Sequence, residues 1–300
     1  MRKTAFLLVI FSLFLFVLTA CNSSPATIKD REGNEITIPE KVDRIVSTVP
    51  SNTEILVALG LGDKIVATDK YSKDVEGLNP DVTYIDLMNP DAETIIELNP
   101  DIIIASEMNK LGGRDPFSLL KESGITVVYI PISNSIQGIY DDISFIGEIT
   151  GTSKKAAEII ENMKKEIDKY KKIGETITEK KRVYFEISPA PDLYTFGKGS
   201  FLQEMLEIVG ADNVFADKGK GIAISSEAVL EANPEVILTN VNYIDNPVEE
   251  IKSRDGWGSI TAVANNQVYY IDANSSSRSS QNIVKAIREI GHAIYPEFYE

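Results

Sequence analysis

One cysteine, one histidine and one tryptophan in 300 residues exclude several kinds of chemistry at once. The lone cysteine, Cys21, permits no internal disulfide. The lone histidine, His292, sits among apolar neighbours near the end of the chain and reads as a structural residue. Hydrolytic triads and dyads usually set a histidine beside the nucleophile. The chain also lacks a Gly-x-Ser-x-Gly elbow, so a secreted α/β hydrolase is the poorer reading. One histidine cannot build a multi-histidine metal site. Glycine-rich phosphate loops are missing too. In Gly60-Leu-Gly-Asp-Lys the third glycine of a dinucleotide fingerprint is replaced by Ile65, and Gly197-Lys-Gly-Ser has no upstream glycine. Both read as turns. The stretch 217–221, Asp-Lys-Gly-Lys-Gly, reads either as a loop at the rim of a cleft or as a solvated turn.

Positive charge is also scarce. Residues 1–20 carry Arg2 and Lys3, then an apolar run from Ala5 to Leu18, then small residues before Cys21. That is the layout of a secretory signal peptide, too short to span a bilayer, which needs ~20 apolar residues. Leu18-Thr19-Ala20-Cys21 resembles the lipobox of bacterial lipoproteins, which implies removal of residues 1–20 and diacylation of the Cys21 sulfur. Two acyl chains anchor a protein stably where one does not. Without Arg2 and Lys3 the chain keeps 28 basic against 45 acidic side chains, a formal charge of −17. Such a surface excludes nucleic acid, whose phosphates need a basic footprint. It also leaves the membrane to be held through the lipid rather than through charge.

What is present is a repeat. Residues 92–104, AETIIELNPDIII, and 226–238, SEAVLEANPEVIL, align at an offset of 134 and share Glu93/Glu227, Glu97/Glu231, Asn99/Asn233, Pro100/Pro234 and Ile103/Ile237. Two copies of one supersecondary unit suggest two similar lobes rather than a solenoid. After a polar tether at 21–43, with a hairpin-like stretch around Gly33, β-branched runs at 44–48, 64–69, 101–106 and 126–130 predict strands. Helical patterns alternate with them; the first has Ser51 or Asn52 as N-cap and Gly60 as C-cap. The order recurs with strands at 182–188, 213–217, 235–240 and 267–272 and helices between them. Strand–helix alternation predicts an α/β fold, with two Rossmann-like lobes of mainly parallel sheet, at 44–151 and 174–300. Between them, Ala156, Ile160, Met163, Ile167 and Tyr170 form one apolar stripe on a helix over 152–173. At ~1.5 Å per residue it is about 30 Å long and reads as a strut joining the lobes.

The segments RIVSTVPSNTEILVALGLGDKIVATD, NPDAETIIELNPDIII, GWGSITAVANNQVYYID and AIYPE resemble the helical-backbone class of ABC-importer substrate-binding proteins, those that take up cobalamin, ferric siderophores and haem. The resemblance covers residues 40–298. It is closest to Gram-positive cobalamin-binding members through EISPAPDLYTFGKGSFLQEML and RDGWGSI. It implies a lipid-anchored, extracytoplasmic, non-catalytic receptor that needs no cofactor. Its ligand, cobalamin or else a ferric siderophore or haem, would lie between the lobes and pass to a permease dimer with its ATPase. Cobalamin receptors of this class often place tryptophans at the cleft. Here the only tryptophan, Trp257, reads as structural, so Phe and Tyr have to supply the stacking.

Ligands of open α/β sheets sit beyond the carboxyl ends of the strands. That rule selects Pro50, Ser51, Asn52, Tyr71, Met108, Asn109 and Lys110 in the first lobe, and Pro189, Tyr194, Phe196, Lys198, Tyr243 and Arg278 in the second. Aromatic rings suit a broad corrin or catecholate face, and Arg or Lys suit amide and carboxylate edges. Glu93 and Glu227 stand near equivalent helix starts, where the dipole favours a carboxylate by roughly 0.3–1 kcal/mol. The resemblance implies that each docks onto arginines of one permease subunit.

Overall fold

The computed structural model of the chain describes residues 27–86, 88–110 and 113–299. The expected signal peptide, Cys21 and the start of the tether lie outside these residues. The described chain opens with an antiparallel hairpin, β1 (Thr27–Lys29) and β2 (Glu35–Thr37), turned at Gly33 with φ +90°. The first lobe follows as β3 (Ile45–Ser47), α1 (Pro50–Ala58), β4 (Ile65–Asp69), β5 (Thr83–Ile85), α2 (Ala92–Glu97), β6 (Ile102–Ser106), α3 (Ser118–Glu122), β7 (Thr126–Ile130) and α4 (Ile136–Ile149). Its five strands pair in parallel in the order β5-β4-β3-β6-β7.

Helix α5 (Ser153–Gly174) leads to β8 (Arg182–Glu186), β9 (Tyr194–Thr195), α6 (Phe201–Ile208), β10 (Asp212–Asn213), β11 (Ile222–Ala223), α7 (Ser226–Ala232) and β12 (Val236–Thr239). The chain ends with α8 (Pro247–Ser253), α9 (Thr261–Ala264), β13 (Val268–Tyr270), α10 (Ala273–Ser277) and α11 (Ile283–Ile294). The second sheet is parallel in the order β10-β8-β12-β13, and β9 and β11 form a separate antiparallel pair. The α/β reading with two mainly parallel sheets agrees with this architecture.

Apolar burial explains why the lobes do not drift apart. One face of the first sheet packs Val46, Ile103 and Ala105 on Phe117 and Leu120; one face of the second packs Tyr184 and Ile237 on Trp257 and Ile260. The other faces share a single core that runs from Ile45 and Ile104 through Ile143, Met163 and Ile167 to Phe185, Met205 and Ile287. The stripe on α5 therefore serves both lobes: Ala156, Met163, Ile167 and Tyr170 are buried and Ile160 is half-buried. At ~1.5 Å per residue its 22 residues span about 33 Å.

The repeat proves to be a structural corner used twice. Asn99 and Asn233 take left-handed backbone, φ 45° and 42°, a region asparagine tolerates better than most residues. Arg44 Nε donates to the Leu98 carbonyl at 2.8 Å, and Arg182 donates to the equivalent Ala232 carbonyl. Asp101 accepts from Arg44 N at 2.8 Å, as Glu235 does from Arg182 N at 3.1 Å. Each corner thus fixes the end of a helix against the start of the neighbouring strand.

Several expectations need correction. Helix α1 begins at Pro50 with Val49 as its cap residue and no side-chain cap, so Ser51 and Asn52 lie inside the first turn. Proline suits that position because it has no N–H to satisfy. The strand expected over 213–217 stops at Asn213, whose Oδ1 takes the Phe215 N–H at 2.9 Å and turns the chain. The strand β5, the β9–β11 pair and α10 were not foreseen.

Candidate ligand cleft

In each sheet the strand order reverses direction once, between β3 and β6 in the first lobe and between β8 and β12 in the second. The segments leaving these strands diverge and open a crevice at the carboxyl edge. The two edges face each other, because bonds cross from Glu54, Tyr71 and Asp74 of the first lobe to Asn274, Arg278, Ser280 and Asn282 of the second.

Among the described residues eleven large apolar side chains are exposed. Six of them stand in segments that leave strands at this edge: Tyr71 after β4, Met88 after β5, Met108 after β6, Ile132 after β7, Tyr194 after β8 and Tyr243 after β12. Single exposed apolar residues are ordinary, but a concentration at one edge of both sheets marks a surface made to be covered. Tyr243 Oη donates to Ser188 Oγ at 3.4 Å, which ties the two second-lobe segments together.

Ten of the residues selected from the sequence divide into three groups. Tyr71, Tyr194, Tyr243 and Lys198 are exposed at the edge, and Ser51 is half-buried beside it. Asn52, Asn109 and Phe196 are turned inward, contrary to expectation. Asn52 donates to the Ala105 carbonyl at 3.4 Å. Asn109 Oδ1 accepts from Thr48 Oγ1 and from Ser106 N, both at 2.8 Å, and so joins the exits of β3 and β6. Phe196 has no exposed surface, its ring 5.5 Å from that of Phe185. Strand β9 ends at Thr195, so the alternation that would have kept Phe196 beside Tyr194 no longer applies. In the third group, Lys110 and Arg278 already have partners. Lys110 Nζ lies 2.6 Å from Glu32 of the hairpin and 3.5 Å from the Tyr129 ring centroid. Arg278 Nη1 lies 2.8 Å from Glu54.

Met88 and Ile132 escaped the sequence reading. Met88 follows a three-residue strand with no pattern to announce it, whereas Ile132 follows a strand that was recognised and so obeyed the rule that found the others.

The remaining singular residues are structural. Trp257 is fully buried and donates to Ser226 Oγ at 2.6 Å. Arg254 lies 4.4 Å from the Trp257 ring centroid and forms a two-pronged pair with Glu186 at 2.6 and 2.8 Å. Burial raises the Glu186 carboxyl above its usual range despite that partner. His292 Nδ1 is 2.7 Å from the Tyr299 carbonyl oxygen. Asp142 is buried where the N-terminal hairpin meets the first lobe. It takes bonds from Arg31 Nε at 3.0 Å and Ser133 Oγ at 2.5 Å, and burial pushes it up to about 6.

Glu93 and Glu227 are exposed at equivalent second positions of α2 and α7. Neither is the cap, since Asp91 accepts from Glu93 N and Thr94 N, and Ser225 Oγ from Ala228 N. Bonds from its own backbone N–H and the Ser225 hydroxyl hold Glu227 below the usual carboxylate range.

Residues 45–275 match the periplasmic binding protein family. The chain belongs to that family. It is 36% identical over 281 residues to the uncharacterized ABC transporter substrate-binding lipoprotein YvrC of Bacillus subtilis (strain 168), covering 92% of this chain and 87% of that protein. It is 27% identical over 260 residues to the vitamin B12-binding protein of Vibrio parahaemolyticus serotype O3:K6, covering 84% and 89%. The crystal structure of a possible iron-binding (periplasmic solute-binding) protein from Staphylococcus epidermidis ATCC 12228 is 32% identical, with a TM-score of 0.77 over 85% of this chain and all of that one. As a periplasmic binding protein, this chain is a substrate-binding component of ABC transport and not an enzyme. Among the described residues no helix is long and apolar enough to cross a membrane, and no group of three or more His, Cys, Asp or Glu is placed to hold a metal.

Proposed function

We propose that this periplasmic binding protein is a lipid-anchored receptor that captures a metal chelate of the corrinoid type between its lobes and passes it to a permease dimer powered by an ATPase. The observation that carries the reading is the set of tyrosine and methionine side chains exposed at the facing sheet edges. A broad macrocycle offers a large apolar face bordered by amides, and rings with one polar end suit such a rim. The similarity to a vitamin B12-binding protein over 84% of the chain supports a corrinoid. The chelate is cargo and not a resident cofactor, since its metal would arrive already coordinated. Cys21, as the lipidated residue, would hold the receptor on the outer face of the cell membrane, and Glu93 and Glu227 would each dock one permease subunit.

The similarity to a possible iron-binding protein supports a second reading, a ferric siderophore or haem in the same cleft. A thermal-shift panel separates the two. A ligand present at about 100 times its Kd stabilises the folded state by ~2.7 kcal/mol. Cyanocobalamin alone should give that shift; a shift with haemin or a ferric siderophore and none with cyanocobalamin would overturn the corrinoid reading.

A further inference from the structure

A compact polar cluster joins the two lobes across the cleft, apart from the bond at 3.1 Å from Ile136 N of α4 to Glu204 of α6. Glu54, on α1, is only 6% exposed, yet each bond found at its carboxylate comes from the opposite lobe. Arg278 Nη1 donates at 2.8 Å, Asn282 Nδ2 donates at 2.8 Å, and Ser280 Oγ donates to the second oxygen. Arg278 Nη2 continues to Asp74 at 3.1 Å and to the Tyr71 carbonyl at 3.0 Å, while Asn274 also donates to Asp74. These partners stand between 200 and 228 positions apart in the chain.

A buried carboxylate is tolerable only while paired and hydrogen-bonded. Opening the lobes at this edge would strip Glu54 of three donors together, so the contact is either made or lost as a unit. Tyr71 is held from both lobes: its N–H by Asp69 Oδ1 at 2.8 Å, its carbonyl by Arg278. We propose that Glu54, Asp74 and Arg278 form an inter-lobe clasp that sets the width of the cleft and positions Tyr71 in its wall. The positioning of Tyr71 bears on ligand capture only if the cleft reading above holds; the clasp itself does not depend on it. Arg278 thus acts on the cargo through Tyr71 and through the spacing of the lobes.

The test begins without ligand. Spin labels on Glu97→Cys and Glu231→Cys, exposed positions on opposite lobes, are placed in the full chain carrying Cys21→Ser, and their separation is read by double electron–electron resonance. The clasp predicts one narrow distance for the parent and a broader, longer distribution for Arg278→Met. Asp74→Asn, at a side chain 46% exposed, should fold in any case and give a smaller broadening. Dissociation of cyanocobalamin should quicken about tenfold in Arg278→Met and about two- to fivefold in Asp74→Asn, since losing an interface contact appears mainly in the off-rate. Unchanged distances in a folded Arg278→Met, or in Asp74→Asn should the first variant not fold, would overturn the clasp. Failure of the parent to bind cyanocobalamin would count against the corrinoid reading alone, because the distances decide the clasp without it.

Discussion

Asp142 shows how much one carboxylate can matter when it is buried at the seam between the N-terminal hairpin and the first lobe. Its folded-state value of about 6 lies above its ordinary 3.8 because burial outweighs the help of Ser133 and Arg31. The folded state therefore binds its proton more tightly than the unfolded state does. The stability it contributes is fully present below about pH 4 and is lost as pH rises through about 6. Two pKa units correspond to about 3 kcal/mol. Urea unfolding of Asp142→Asn against the parent should show the parent's relative stability falling by about that amount from pH 4 to pH 7. A difference independent of pH would contradict the assignment. Phe196 offers a second test at this scale. As a core ring against Phe185, its replacement by alanine should cost about 3–5 kcal/mol, with ligand affinity preserved in the folded fraction. A selective loss of affinity with stability intact would return Phe196 to the cleft.

Elements were legible where composition and period agreed. Strand β7 is reproduced residue for residue and β4 and β6 to within one, because each is a β-branched run that a parallel sheet buries on both faces. The repeat was legible too, and its meaning lay in Asn99 and Asn233, whose left-handed backbone ends the two helices alike. Three-residue β5 and the two-residue strands β9 and β11 carry too few positions for any period to register. The carboxyl-edge rule picks out segments at the facing sheet edges but not the direction of each side chain, so it selects Asn52 and Asn109 although both face inward. Glu54 could not be found at all, since the contact that matters joins it to a residue 224 positions away. On α2 and α7, Asp91 and Ser225 already supply the caps, so Glu93→Gln with Glu227→Gln should shift stability by well under 1 kcal/mol. Uptake through a reconstituted permease should nonetheless collapse in the double variant while ligand affinity stays unchanged. Normal uptake would remove the docking role and leave the fold as described.

At the scale of the whole molecule, the lobes share a core through α5 and are also fastened through Glu54 and Arg278, beside the core residues Ile55, Leu56 and Ile283. A helix about 33 Å long, buried against both lobes, resists bending more than extended linkers do. Ligand capture should accordingly change the angle between lobes by less than about 20°, measured between unbound and bound crystal structures; a larger closure would contradict the strut. The tyrosines at the facing sheet edges are proposed to hold a corrinoid. Equilibrium dialysis of cyanocobalamin against the purified chain tests it most directly. One cobalamin per chain is predicted for the parent, with affinity lowered by at least about tenfold in Tyr71→Ala with Tyr243→Ala, as expected for two exposed rings that become buried on binding. No retained cobalamin, or retention indifferent to the loss of both tyrosines, would contradict it.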